Sequence, residues 1–243
     1  MSLRVLDTGL RPARWNVAMS AALLAGADAG EAPATLRLHR YPLSCVIGRN
    51  QDVAAELDLD ACRAAGIEIA RRVTGGGAVV MGPGVLAFDL VLERPGAEFG
   101  RRAAEALAMA LVGLGFPARL ATTGSIEIAD AKVSGSAGRL GRRAALHQAT
   151  LVEDLSRTAP LALLRRRTEG GKPTADPRHR VGDLRSFAPV VPGHLARCLA
   201  AGFGLKPEAG LPSPAECARA EDILAHEIGR DDYVFENAWS RAA

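Results

Sequence analysis

Residues 118–152 read ARLATTGSIEIADAKVSGSAGRLGRRAALHQATLV. Ala118–Ala121, Ile126–Ala129, Lys132–Arg139 and Ala145–Val152 are short strand-like runs separated by Gly- and Asp-bearing breaks, which predicts a meander of strands joined by tight turns. Upstream of it, Thr35–His39, Ser44–Gly48, Glu68–Arg72, Ala78–Met81 and Val85–Leu92 have the same character, as does the alternating N-terminus. So many strands outnumber simple crossovers. The fold class they imply is α+β, a mostly antiparallel sheet with flanking helices.

Helices are expected at Asn16–Ala27, with Asn16 as N-cap, at Asp58–Ala65 ending on Gly66, and at Gly96–Gly115 with Pro117 as a stop. After Asp154 the pattern turns helical and irregular. Leu161–Arg167 reads as a short helix, Gly170–Pro177 as a mobile loop, and Val191–Phe203 and Pro214–Ile228 as closing helices. No internal repeat is visible, so residues 1–243 form one expected domain whose part from 158 to 243 is mainly helical.

With 243 residues, 48% hydrophobic and 23% charged, the chain can bury a sizeable core. Its apolar stretches stop well short of the roughly 20 residues that span a bilayer, and the N-terminus lacks a signal-peptide h-region. No membrane span is expected, and a cytoplasmic location is. Cys45, Cys62, Cys198 and Cys217 show no CxxC spacing and read as buried free thiols. The net charge of +3 rests on arginine, because Lys132, Lys172 and Lys206 are the only lysines. That mild excess favours anionic small molecules or acidic partner surfaces, and the 4% aromatic content argues against a nucleic-acid stacking surface.

Three segments carry chemistry. Arg71-Arg72-Val73-Thr74-Gly75-Gly76-Gly77-Ala78-Val79 places three glycines between strands, where bare N–H groups can lie against a phosphate or carboxylate beside two arginines. It matches neither the GK[ST] phosphate loop nor GxGxxG. In Ala131-Lys132-Val133-Ser134-Gly135-Ser136-Ala137 a lysine stands among small residues, with room for a ligand and partial desolvation of its ammonium. In Leu146-His147-Gln148-Ala149-Thr150-Leu151, alternation puts His147 and Ala149 on one face and Gln148 and Thr150 on the other.

Taken together, RRVTGGGAV, KVSGSA and HQATL resemble the signature of the lipoate–protein ligase and octanoyltransferase family, with support from Val46–Gln51 (VIGRNQ) and Asn16–Leu24 (NVAMSAALL). The resemblance is best over residues 3–154. It implies a catalytic domain related to biotin ligases and class II aminoacyl-tRNA synthetases. The implied reaction activates lipoate or octanoate with ATP to an acyl-adenylate, with Mg2+ accompanying the nucleotide, and passes the acyl group to a lysine of a lipoyl-acceptor domain. Lys132 would be the catalytic residue. Arg71, Arg72, Thr74, Gly75, Gly76, Gly77, Ala78, Val79, Ser134, Gly135, Ala137, His147 and Thr150 would bind substrate. No dedicated metal cage is expected, Asp89 and Asp130 being candidates only.

The chain departs from the family pattern at Met81–Val85, at Thr123–Ile126 and at Ser20, where the family carries polar and acidic groups. ATP-independent acyl transfer, or an acyl-binding homologue without activity, therefore stay open as alternatives. The thiol that such transferases use has no counterpart between Cys62 and Cys198. No room for the accessory C-terminal domain of many ligases is expected, so either a separate chain supplies that role or this variant manages without it.

Overall fold

In the computed structural model, which describes residues 1–165, 168–169, 172–173, 181–187 and 189–236, the chain opens with strand β1 (Ser2–Leu10) and helix α1 (Ala13–Ala29). Strands β2 (Thr35–Arg40) and β3 (Ser44–Ile47) follow, then short helices α2 (Val53–Glu56) and α3 (Leu59–Ala64). Next come β4 (Glu68–Arg71), β5 (Val79–Met81), the long β6 (Val85–Glu93) and helix α4 (Phe99–Gly113). The expected meander is present as β7 (Arg119–Leu120), β8 (Ile126–Ile128), β9 (Ala131–Leu140) and β10 (Ala144–Val152). Two-residue strands β11 (Thr168–Glu169) and β12 (Lys172–Pro173) precede α5 (Pro192–Ala201), β13 (Lys206–Ala209), α6 (Pro214–Ile223) and α7 (Asp231–Phe235).

The main sheet runs β13-β1-β2-β6-β10-β9-β8-β7. Only β1 pairs in parallel, with β2 and β13; every other pairing in that sheet is antiparallel. A separate three-stranded sheet, β4-β3-β5, carries the glycine motif, a division that strand patterns alone do not reveal. Central strand β6 is covered on both faces. Val85, Ala87 and Val91 join the core with α1 and the small sheet, while Leu86, Phe88, Leu90 and Leu92 join the core with α4 and α5. A strand buried on both sides has no need of polar alternation, which is why this segment reads as an apolar run. No described helix is long and apolar enough to cross a membrane.

Several expectations need correction. Asn16 does not cap α1; it lies buried within the helix and donates to the carbonyls of Arg11 and Arg40. The helix start is instead met from a distance. The Glu68 carboxylate of β4 accepts from the Ala13 and Arg14 N–H groups at 2.8 and 3.1 Å, which fixes α1 to the small sheet and complements the helix dipole. The helix expected over Leu161–Arg167 is a single 3-10 turn at Leu161–Leu163, with Arg166 and Arg167 outside the described residues. The loop expected over Gly170–Pro177 lies outside the described residues apart from β12.

Two buried histidines give the fold a pH dependence. Burial, with Arg37 adding to it, pushes His39 down to about 3, and burial pushes His147 down to about 4. The folded state therefore holds both rings neutral where the unfolded chain protonates them. Stability should be at its full value above about pH 6.5 and fall as the pH drops toward 4, by roughly 1.4 kcal/mol per pH unit for each ring. Urea melts at pH 7.5 and 5.0 measure this, and His147→Phe should remove one ring's share of the slope; an unchanged slope in that variant would refute the assignment.

Candidate functional site

Sheet register builds the site row by row. Arg37 of β2, Asp89 of β6, Gln148 of β10 and Ala137 of β9 stand side by side across four strands. Two residues along, about 7 Å away, His39, Ala87, Thr150 and Gly135 form the next row. These rows floor a cavity of about 450 Å3, within the usual range for small-molecule sites. Val46, Val79, Val85, Leu155, Leu161 and Leu164 line it with aliphatic side chains, which suits an acyl chain.

Lys132 lies at this cavity. A Cβ on Gly135 would sit 3.0 Å from the Lys132 Cε and Nζ, so the lysine stem folds back over a position that only glycine leaves open. Lys132 is an exposed residue, yet the atoms packed around its ammonium matter electrostatically. Burial lowers its pKa from the ordinary lysine value, Glu127 opposing and Arg72 assisting.

The triple glycine forms the facing wall. Gly76 has φ +89° and Gly48, in the turn after β3, approaches it so closely that a Cβ on Gly48 would meet the Gly76 carbonyl oxygen at 2.1 Å. Gly75 and Gly77 have nothing within 4 Å of where a Cβ would stand, which leaves open space beside the loop. Gly48→Ala must displace the loop backbone. The expected cost is about 1–3 kcal/mol of stability, read by thermal melts; a variant with unchanged melting would disprove the contact.

Lys132, Arg72, Gly76, Gly77, Ala78, Val79, Ser134, Gly135, Ala137 and Thr150 all line the one cavity. Thr74 and Gly75 stand just behind it. The Thr74 hydroxyl donates to Gln148 Oε1 at 2.8 Å, and the Gly75 carbonyl accepts from Arg72 at 2.6 Å. Two of the expected residues, Arg71 and His147, do not line the cavity. Arg71 is wholly buried, and its guanidinium donates to the carbonyls of Gly48, Arg49, Gln51, Tyr233 and Val234, so it clamps the turn after β3 onto α7. His147 faces the opposite side of the sheet, between Phe88 and Phe99. Arg72 also differs from expectation. Although it lines the cavity, it donates to the Val46, Gly75 and Gly77 carbonyls, bracing the loop from beneath. Burial pushes its pKa down to about 10.

The residue that the third motif brings to the site is Gln148, not His147. Its amide donates to Asp89 Oδ1 at 2.8 Å and to Ser20 at 3.1 Å; Asp89 in turn takes the Ser20 hydroxyl at 2.8 Å and pairs with Arg37 at 2.9 Å. The Asp89 carboxylate is thus committed to Gln148, Ser20 and Arg37, and Asp130 is exposed beside Arg119. Alternation did place Gln148 on the same face as Thr150, so the signal existed in the sequence. Arg165, at the cavity edge, had none.

Residues 12–203 match the family model of the lipoyl protein ligase A/B catalytic domain. The chain belongs to this family. Among its relatives, the octanoyltransferase LipM of Kyrpidia tusciae is 31% identical, over 91% of this chain and 94% of that protein. A crystal structure of lipoate-protein ligase A bound with ATP superimposes with a TM-score of 0.82 at 25% identity, over 97% of this chain and 99% of that one. A bi-partite lipoate protein ligase from Thermoplasma acidophilum, studied with its E2 lipoyl domain, has the same fold with a TM-score of 0.78, 24% identity, and coverage of 96% and 95%. Against other curated relatives the matched region is shorter, and the chain spans about half their length.

Proposed function

We propose that this member of the family is a ligase that activates lipoate or octanoate with ATP and passes the acyl group to a lysine of a lipoyl-acceptor domain. One observation carries the choice. Lys132 and the open glycine loop share an aliphatic-walled cavity that none of the four cysteines lines. Cys45 is buried beside Cys62, and burial, with Cys62 adding to it, pushes its pKa up to about 12, far from a nucleophilic thiolate. Without a thiol to carry the acyl group, the carboxylate needs activation by another route.

In that route a carboxylate oxygen of the acid attacks the α-phosphate and pyrophosphate leaves. The acceptor lysine amine then attacks the acyl carbon, forming the amide as AMP departs and the amine loses a proton. Lys132 neutralises the carboxylate and then the charge developing on the acyl oxygen. The glycine-loop N–H groups and Arg165 hold the phosphates. Magnesium would accompany ATP. The solved bipartite ligase supports a separate accessory chain, as an expectation for this chain as well.

Release of pyrophosphate on mixing the chain with MgATP, and its dependence on lipoate, tests the reading. The likeness to an octanoyltransferase favours a second one. Acyl transfer from an acyl-carrier protein without ATP, abolished by one Cys→Ser change, would establish that instead.

A further inference from the structure

Asp89, Glu127 and Glu216 are the carboxylates buried among the described residues. Asp89 pairs with Arg37, and Glu216 with Arg4 at the start of α6. Glu127 is the one that neighbours Lys132. On β8, Ile126 and Ile128 face the core formed with α4 and α5, so Glu127 between them faces the side of the sheet that carries the acyl cavity. Its cross-strand neighbour on β7 is Arg119, whose Nη2 lies 2.7 Å from Glu127 Oε2. Its cross-strand neighbour on β9 is Lys132, a pairing that sets the two Cβ atoms about 4.5–5.5 Å apart. A carboxylate only 8% exposed thus stands between two cations.

An irregularity in β9 builds this juxtaposition. Ile126 pairs with Ser134 but Glu127 pairs with Lys132, so Val133 is an extra residue, a bulge. Counting back from Gly135, which shares the cavity-facing row with Thr150, regular alternation would turn Val133 toward the cavity and Lys132 away from it. With the bulge, Val133 packs into the core with α4 and α5, and Lys132 comes round to the face of Glu127. The backbone is fixed there, since the Lys132 carbonyl accepts from the Gly182 N–H at 3.0 Å.

The lysine has use for such a neighbour. Burial pulls its pKa down, Glu127 raises it, and Arg72 on the facing wall lowers it. Other charged groups around Lys132 have engagements of their own. Asp130 is exposed beside Arg119, Asp183 pairs with Arg185, and Asp89 with Arg37. Glu56 and Arg165 line the cavity joined through their backbones, and burial holds His39 and Tyr41 neutral.

We propose that Glu127 is the positioning residue of Lys132, its charge directing the ammonium across the cavity to meet the acyl carboxylate, an inference that rests on the acyl-transfer reading above. Glu127 does not itself line the cavity, so it acts through the lysine. Arg119 holds one oxygen of the acid, which keeps Glu127 from closing on Lys132 as a tight pair and competing with the incoming carboxylate.

The test reads the lysine and the reaction separately. Because the chain has lysines only at 132, 172 and 206, carbon-13 labelling of the lysine ε-carbon gives three resonances, and Lys132→Met identifies one of them. In Glu127→Gln the Lys132 resonance should titrate at lower pH than in the wild type, while those of Lys172 and Lys206 stay in place. Hydroxamate formation from lipoate, MgATP and hydroxylamine should fall about tenfold in kcat/KM, with its alkaline limb moved to lower pH. Glu127→Asp should restore most of both. Arg119→Gln, at an exposed side chain, should do the reverse at the lysine, a titration at higher pH, with the KM for lipoate raised about threefold. An unchanged Lys132 titration in both Glu127→Gln and Arg119→Gln, where the wild type forms hydroxamate, would overturn the positioning role alone. So would a shifted titration with unaltered kinetics. If Glu127→Gln does not fold, Arg119→Gln decides by the same criteria. A wild-type chain that forms no hydroxamate defeats the acyl-transfer reading and the role of Glu127 with it.

Discussion

Lys132→Met should lower acyl transfer by about 10²–10³-fold while leaving the melting temperature close to wild type. In the proposed reaction the side chain sits where carboxylate and phosphate charge would meet, and Arg71 and Arg72, the other cations of the motifs, are committed to backbone carbonyls. Its pKa is held below the ordinary lysine value by burial, which means that folding works against its charged form. Removing that charge therefore takes nothing from stability, and methionine keeps the unbranched stem. Gly135→Ala supplies an independent check, because its new Cβ would stand 3.0 Å from Nζ and push the ammonium aside with the charge retained. That variant should lose activity in the same step as Lys132→Met, though by less. Near-normal turnover in Lys132→Met, or its unfolding, would show that the charge is not what the site uses.

How much of this site could be read from the sequence depended on whether neighbours along the chain are neighbours in space. The β7–β10 meander was legible because its contacts are local and its alternation is regular. Lys132, Gly76 and Gly77 line one cavity, and each motif that singles them out keeps its parts within a few residues. Arg71 was misread for the opposite reason. Its partners Tyr233 and Val234 lie more than 160 positions away, and nothing beside it in sequence distinguishes a clamp on carbonyls from an anion ligand. Likewise the true cap of α1 is Glu68, contributed by another strand 55 positions on, and Asn16 was only the nearest residue of a capping type. His147 and Gln148 show a subtler limit. Alternation separated their faces correctly, but which face held the site depended on where α1 and α4 pack. Edge strand β13, KPEA, is exposed throughout and has no apolar pattern to announce it.

Asp89→Asn should destabilise the fold by about 3–5 kcal/mol, the cost of leaving a buried charge without its partner. Arg37 and Asp89 are fully buried, 2.9 Å apart, and Arg37 Nε and Nη1 have no hydrogen-bond partner, so its ionic contact is with Asp89 alone among the described residues. Burial by itself would raise the Asp89 pKa; Arg37, His39, Gln148 and Ser20 outweigh it and hold the carboxyl below its usual value. For a domain of this size the loss corresponds to roughly 2–4 °C of melting temperature per kcal/mol, with an unchanged denaturant slope if the folded state stays compact. Replacing both members by leucine should be much milder than Asp89→Asn, since no orphaned charge remains. The pair also supports the site, because Asp89 positions Gln148 and Gln148 receives the Thr74 hydroxyl at the head of the glycine loop. Asp89→Asn should therefore raise the KM for the acyl substrate even at temperatures where it is folded, and Gln148→Ala should reproduce that rise without the large loss of stability. If the double leucine variant is as unstable as Asp89→Asn, packing rather than charge is what the position supplies.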